Sequence, residues 1–447
     1  MRLQIALLAL GLGVGVAGAK DIYVSRNGKN SNDGTKEAPL KSLWKAMGML
    51  EPGDAIHVSE GEYPGRGKSG VMPPCEVTNV TIEGGWKDDW SERDPFKYLS
   101  IISPPGDTQG AGTEVFQFMR SDNKLGNITL DGFCIDRGPH NYYSSEGEVG
   151  ANKQIEGHVD TSAWGYRAMN RKKSGSDPTI EIIARDGNVT VRNMILVNNP
   201  WWGISVKGGG DGEIRIENNL ILISQGRGIE AITGGGWGNP KWVIRNNTVM
   251  FNHTLASTEG RALSADPRKG YGTYLVENNV FAYSDGGGIT VKFGAEMLTL
   301  KNNLFYFNRR GDMCEGGSPL CNAPDFEDEL ECDNEGNVRE LPKATAKVDQ
   351  AWFDRWSIGG PDRMAGELNT WEELKAAREA VGLTAEFKLI GYDEAYPDYK
   401  SLPDGRPNYG MSRYPHPMKK GELIDWQSVL GIVGADEGRG IQPYSAE

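Results

Sequence analysis

Four short segments of this 447-residue chain share one pattern: Gly203-Ile-Ser-Val-Lys207, Gly228-Ile-Glu-Ala-Ile232, Ala262-Leu-Ser-Ala-Asp266 and Gly288-Ile-Thr-Val-Lys292. Read as strands with Ile204, Ile229, Leu263 and Ile289 turned inward, they alternate so that Ser205, Glu230, Ser264 and Thr290 form one outward row. Lys207, Ile232, Asp266 and Lys292 form a second, and Arg227 and Arg261 lie in the turns just before their strands. Removing a proton alpha to a carboxylate takes a cation to neutralise that carboxylate and a base to accept the proton. Lys207, Lys292 and Arg261 are the candidate catalytic residues, since Lys or Arg can serve as base when neighbouring cations and partial burial lower its pKa. Trp202, Arg227, Glu230 and Asp266 are the candidate substrate-binding residues. Glu230 and Asp266 could also hold Ca2+ against developing negative charge, or flank a glycosidic bond as the carboxylate pair of a hydrolase. The same charges also fit cross-coil ion pairs, which are worth only about 0–1 kcal/mol at a surface and carry no chemistry.

The elements that must position these residues repeat. Ile214-Arg-Ile-Glu-Asn-Asn219 recurs as Trp242-Val-Ile-Arg-Asn-Asn247, Tyr274-Leu-Val-Glu-Asn-Asn279 and Leu298-Thr-Leu-Lys-Asn-Asn303, each followed by an apolar run. The first asparagines stand 28 (218 to 246), 32 (246 to 278) and 24 (278 to 302) residues apart, a solenoid period. A coil that short holds three strands and no helix, so each strand pairs with its copy one coil away, about 4.8 Å off. Asparagine tolerates the left-handed backbone of a sharp corner, and its amide can bond to the asparagines above and below. Phe251, Tyr283 and Phe307 are expected to stack inside. Val80-Thr-Ile-Glu-Gly-Gly85 and Ile128-Thr-Leu-Asp-Gly132 repeat the phrase with glycine at the corner.

Upstream, Leu40, Leu43, Trp44 and Met47 fall at helical spacing and predict a short helix closing the end of the stack. Ile22-Tyr-Val-Ser25, Asn27-Gly28, Asp33-Gly-Thr35, Ala38-Pro39 and Pro52-Gly-Asp54 resemble the opening of secreted right-handed β-helix proteins of the pectate-lyase-like superfamily, and Gly434-Ala-Asp-Glu437 resembles their closing motif. The resemblance implies an all-β chain: a right-handed, single-stranded parallel β-helix with a short N-terminal helical cap and a mixed C-terminal region. It also implies that the charged sheet faces a substrate groove between long loops. The motifs known for polygalacturonases, for the Arg-x-Pro-x-x-Arg pectate lyases and for family 9 lyases find no clear match in this sequence. The expected function is a polysaccharide-active enzyme, a lyase on a uronate-containing polymer; a glycoside hydrolase or a non-catalytic glycan-binding protein on the same scaffold are the alternatives.

The expected boundaries are a signal peptide over 1–19, an N-terminal strand and capping helix over 20–50, the β-helix over 51–310 and an irregular C-terminal region with a helix over 311–447. Met1-Arg2, the apolar run Leu3 to Val16 and Ala17-Gly18-Ala19 are what predict export to the periplasm, cell surface or medium. No later run is long enough to span a bilayer, and a net charge of −13 argues against nucleic acid as a partner. A monomer with a polysaccharide partner is expected. Five cysteines leave at least one thiol outside any internal pairing, and Cys314, Cys321 and Cys332 are close enough in sequence for one disulfide. Residues 136–178 read as a long aromatic loop walling a groove, Asp325 to Glu335 as a solvated acidic loop or, less simply, a calcium site, and Leu374 to Val381 as a helix.

Overall fold

The computed structural model describes residues 18–136, 178–340 and 438–446, apart from 66–70, 103–113, 121 and 123 in the first range and 200–201, 225, 251, 253–259, 268–270, 283, 285–286, 293, 307, 309–310, 316–317 and 324 in the second. Its coil is set at the corners. The first asparagine of each pair is left-handed, with φ 56° at Asn218, 53° at Asn246, 56° at Asn278 and 48° at Asn302, and Asn193 (φ 54°) and Gly132 (φ 78°) turn the earlier coils.

The second asparagine turns inward and builds the ladder. Asn219 donates through both its main-chain N and Nδ2 to Asn247 Oδ1 (3.1 and 2.9 Å), and Asn247 does the same to Asn279, Asn279 to Asn303 and Asn303 to Asn337. The remaining Nδ2 proton goes to a strand carbonyl of the preceding coil, as from Asn279 to Ile244 (2.8 Å). Every polar atom of these buried amides therefore finds a partner, which is the condition for keeping them inside.

Three sheets result. Among the described residues, one of ten strands runs from Asp21–Val24 to Asp333–Glu335, one of nine from Gly61–Glu62 to Val338–Arg339, and one of eight from Phe116–Phe118 to Ser318–Cys321. All neighbours pair in parallel except Met313–Glu315 with Ser318–Cys321. This is the right-handed parallel β-helix that the repeat and the resemblance imply. Its interior is a set of apolar rows; Ile22, Ile56, Ile82, Leu130, Val191, Ile216, Ile244, Val276 and Leu300 are successive partners on the ten-strand sheet, none more than 2% exposed. Each such side chain contributes about 1.5–3 kcal/mol on burial, so the stack is held mainly from within. Trp242 and Tyr274 stack at 5.2 Å in the same interior, and Thr233 Oγ1 accepts from the Trp242 indole and bonds the Tyr274 hydroxyl.

Several sequence expectations change. The stack extends past 51–310 at both ends, because Asp21–Val24 already pairs with Ala55–Ser59 and the strands 333–335 and 338–339 add rungs after the repeat fades. The helix is only Leu43–Met47, capped by Ser42; Leu40 is instead bridged to Val24, so its apolar side chain belongs to a sheet contact and not to the helix face. The acidic stretch is no simple loop: Phe326–Glu329 makes a helical turn whose Phe326 packs edge-on against Phe305 at 5.2 Å, and Asp333–Glu335 joins the ten-strand sheet. No disulfide joins Cys314, Cys321 and Cys332; Cys314 pairs with Pro319 and Cys321 with Met313, so the antiparallel register does not set the two sulfurs opposite each other. Phe251, Tyr283, Phe307, the signal segment up to residue 17, the loop from 137 to 177, Gly434 to Glu437 and the helix at Leu374 to Val381 lie outside the described residues.

At the other end of the nine-strand sheet's strands a second buried polar series marks the next corner. Thr179 donates to Asn199 Oδ1 (2.7 Å), Asn199 to Ser224 (3.2 Å) and Asn252 to Ser284 (3.0 Å), while the Ser284 N–H donates to Asn308 (3.3 Å).

Candidate functional site

The charged segments form the middle of the eight-strand sheet. Ile204–Gly208, Ile229–Thr233, Arg261–Asp266 and Gly287–Val291 pair in the register Ser205 to Glu230 to Ser264 to Thr290, and Lys207 to Ile232 to Asp266. Ile204, Ile229, Leu263 and Ile289 face the core, each fully buried. Glu181 pairs with Ser205 and Gln117 with Glu181, so the outward row begins two coils earlier than the four segments suggest. Gln117 Nε2 donates to Glu181 Oε2 at 2.9 Å.

Glu230 is the hub of the row. One of its oxygens accepts from the Ser205 hydroxyl at 2.7 Å, the other from Arg227 Nη1, and the Arg227 guanidinium lies 5.0 Å from the Trp202 ring centroid. Trp202, Arg227, Glu230 and Ser205 thus form one packed group, in which a cation is held between an indole face and a carboxylate. Lys207, two residues along the strand from Ser205, sets its ammonium 4.6 Å from the ring of Trp237. Trp237 belongs to the Gly234-Gly-Gly-Trp-Gly238 turn, whose lone bulky residue among glycines was the available signal.

The row is more enclosed than two-residue alternation implies. Glu230 is 3% exposed, Arg261 5%, Asp266 7% and Thr290 1%, whereas Lys207 is half-buried and Lys292 exposed. Arg261 opens its strand, paired with Gly287, and is not in the preceding turn. Asp266 follows Ile232 in the second row, so Glu230 and Asp266 sit on adjacent strands but two residues apart along them. Both Glu230 oxygens are engaged, and among the described residues no group of three or more His, Cys, Asp or Glu side chains is placed to hold a metal ion. Lys292 lies one residue beyond its strand, three strands from Lys207, a span of roughly 14 Å at about 4.8 Å per rung.

A concavity away from the charged sheet was not foreseen. Residues 438–446 run along the asparagine corner against the order of the coils. Arg439 donates to Asn302 (2.9 Å), the Gly440 N–H to the Asn278 carbonyl (2.8 Å), the Ile441 N–H to Thr248 (3.0 Å) and the Gln442 N–H to Asn218 (2.6 Å), and Arg93 donates to the Tyr444 hydroxyl (2.8 Å). Between this strap and the ten-strand sheet is a cleft of about 200 Å3 whose walls include Arg192, Glu217, Arg245 and Gln442.

The three sheets of stacked strands and the ladders at their corners define the chain as a parallel β-helix protein. Residues 26–88 match the model of a family described as a protein of unknown function (DUF1565). A comparison with curated proteins gave no match. Among solved structures, the chain is similar to a complex of XylC with xylose (11% identity, TM-score 0.41, 66% of this chain and 63% of that one), so it spans less than two thirds of that protein. It is also similar to the pectate lyase Pel9A (13% identity, TM-score 0.33, 74% of this chain and 83% of that one) and to a GH136 lacto-N-biosidase from Eubacterium ramulus (13% identity, TM-score 0.33, 72% and 68%). No helix among the described residues is long and apolar enough to cross a membrane.

Proposed function

We propose that this chain is an exported, carbohydrate-active β-helix protein that works on an acidic, uronate-containing polysaccharide by β-elimination, with the eight-strand sheet as its substrate face. The observation that supports it is the register itself. Lys207 and Lys292 are the accessible cations of that sheet, three strands apart, and that span suits a few sugar units along the stack. In this reading Lys292, the more exposed, neutralises a substrate carboxylate. Lys207, half-buried against Trp237 two residues along the strand from Ser205, is the candidate base. Arg227 and Glu230 hold each other and Trp202 in place. Arg261 and Asp266, being enclosed, act by positioning.

One observation favours a second reading, a glycan-binding protein without catalysis: the best placed carboxylate, Glu230, is already committed to Arg227 and Ser205. Incubation with pectate, alginate and glycosaminoglycans separates the two. Ultraviolet absorbance from an unsaturated uronate supports the lyase. Retention on one of these polymers without any shortening of it supports the binder, and new reducing ends from a neutral glycan without absorbance would point to a hydrolase.

A further inference from the structure

The cleft under the strap lies on a different sheet from the one just discussed, and its walls have a charge pattern of their own. Along the outer face of the ten-strand sheet, Asp131, Arg192, Glu217, Arg245, Glu277 and Lys301 are successive partners, so the signs alternate along the whole series. Arg192 Nε donates to Asp131 at 2.8 Å and Arg245 Nε to Glu217 at 2.7 Å. Where the strap crosses, the wall of the cleft contains two guanidinium groups and one carboxylate, a net positive spot on a chain of net charge −13.

Arg245 is the residue with donors to spare. Its side chain is 36% exposed, and among the described residues it donates only through Nε, which leaves the Nη protons of a planar fork suited to a carboxylate. The strap supplies the other wall through Gln442, Pro443 and Ser445. Gln442 uses its Nε2 on its own strap, donating to the Arg439 and Gly440 carbonyls, so its amide oxygen is left to accept. A cleft of about 200 Å3 lies below the roughly 300 Å3 at which pockets take drug-sized ligands, and no aromatic residue lines it. Its occupant is therefore small and anionic, with a hydroxyl to give to the Gln442 amide oxygen, and is recognised by its polar edges without ring stacking.

We infer that the cleft between the strap and the ten-strand sheet binds a single uronic acid residue, free or at a chain end, with its carboxylate on Arg245. The inference stands apart from the activity proposed for the eight-strand sheet, which involves none of these residues.

Calorimetric titration of the full chain with D-galacturonate, D-galactose and acetate tests it, with hydrogen exchange followed by mass spectrometry. Galacturonate should bind saturably and slow exchange in residues 438–446, with galactose and acetate at least about tenfold weaker. Arg245→Gln should weaken galacturonate at least about tenfold. Gln442→Glu, which adds a repelling carboxylate without touching the Arg245–Glu217 pair, should do the same and keeps the test sound if Arg245→Gln unfolds. Equal binding of galactose or acetate would overturn the assignment, as would protection confined to residues 202–208 and 287–292, or wild-type affinity in both variants.

Discussion

Gln442 and Asn218 hold each other reciprocally across 224 residues of chain: the Gln442 N–H donates to Asn218 Oδ1 at 2.6 Å, and Asn218 Nδ2 donates back to the Gln442 carbonyl at 3.2 Å. Both bonds use the main chain of residue 442, so its side chain is dispensable for them. Asn218→Gly keeps the left-handed corner (φ 56°) while deleting the amide, and should cost about 1–3 kcal/mol in urea unfolding. Gln442→Ala keeps both bonds and loses only the Nε2 contacts with the strap's own Arg439 and Gly440 carbonyls, so it should cost less, about 0.5–1.5 kcal/mol. Equal losses would show that the strap is held some other way.

The inner asparagine ladder should be far less forgiving. Asn279→Asp keeps the acceptor for Asn247 but removes the donors to the Ile244 carbonyl (2.8 Å) and Asn303 (3.0 Å), and it introduces a charge at a fully buried position. Asn303 keeps the Asn279 main-chain N–H, so the loss is the Ile244 carbonyl's side-chain donor, at about 1–3 kcal/mol, together with a buried charge, which predict a loss of several kcal/mol read as a lower urea midpoint. A variant within about 1 kcal/mol of wild type would mean that the ladder is not what fixes this corner.

Stability should rise on the mildly acid side, and Asp312 sets the sign. Burial pushes its carboxyl from the usual 3.8 up to about 6, although Asn308 donates to it and Arg339 Nε lies 3.4 Å away. Between those values the folded chain keeps a proton that the unfolded chain has lost, so this stabilisation is full below about pH 3.8 and is lost as pH rises through about 6. A shift of about two units corresponds to roughly 3 kcal/mol. His57 acts in the same direction: burial works against its charge, but its bonds to Glu83 Oε1 (2.7 Å) and Asp21 Oδ1 (3.0 Å) outweigh that and raise its pKa, giving stability that fades as pH climbs past its folded value. Unfolding free energies from pH 5 to 8 should therefore decline by less in Asp312→Asn than in wild type.

The hub of the charged row and its exposed cation should fail differently. Glu230→Gln strips the charge that Arg227 is packed against and should lower the melting temperature, a charged hydrogen bond being worth about 1.5–3 kcal/mol. Lys292→Ala, at an exposed position, should leave melting unchanged and weaken binding to an acidic polymer, more so at low salt than at high. Wild-type binding by Lys292→Ala would remove this cation from the substrate face.

Much of this architecture was legible because it is periodic. The Asn pairs announced corner, ladder and coil length together, and two-residue alternation fixed the register of Lys207, Glu230 and Asp266 before any coordinates. The second corner carried the same signal unnoticed: Ser224, Asn252, Ser284 and Asn308 repeat the steps of 28, 32 and 24, but alternating Ser with Asn hid the series. Asn337 was hidden likewise, because its corner partner is Gly336. Burial of Glu230 and Asp266 was not legible, since alternation gives the face of a strand and not what lies over that face. The strap was out of reach for the opposite reason, as Arg439-Gly-Ile-Gln-Pro-Tyr444 has no period and binds largely through its own main-chain N–H groups, which any residue type supplies.

A solenoid whose coils touch only their neighbours can zip up progressively, each new coil templated by the one before it. Residues 439–444 break that rule, because their bonds reach back 137 residues to Asn302, 193 to Thr248, 224 to Asn218 and 351 to Arg93. Such contacts carry a large loop-closure entropy and form only once the coils they bridge are already in place. On the ribosome, the corner of the middle coils is therefore made long before its cover, and the cleft beneath it comes into being as one of the last events of folding.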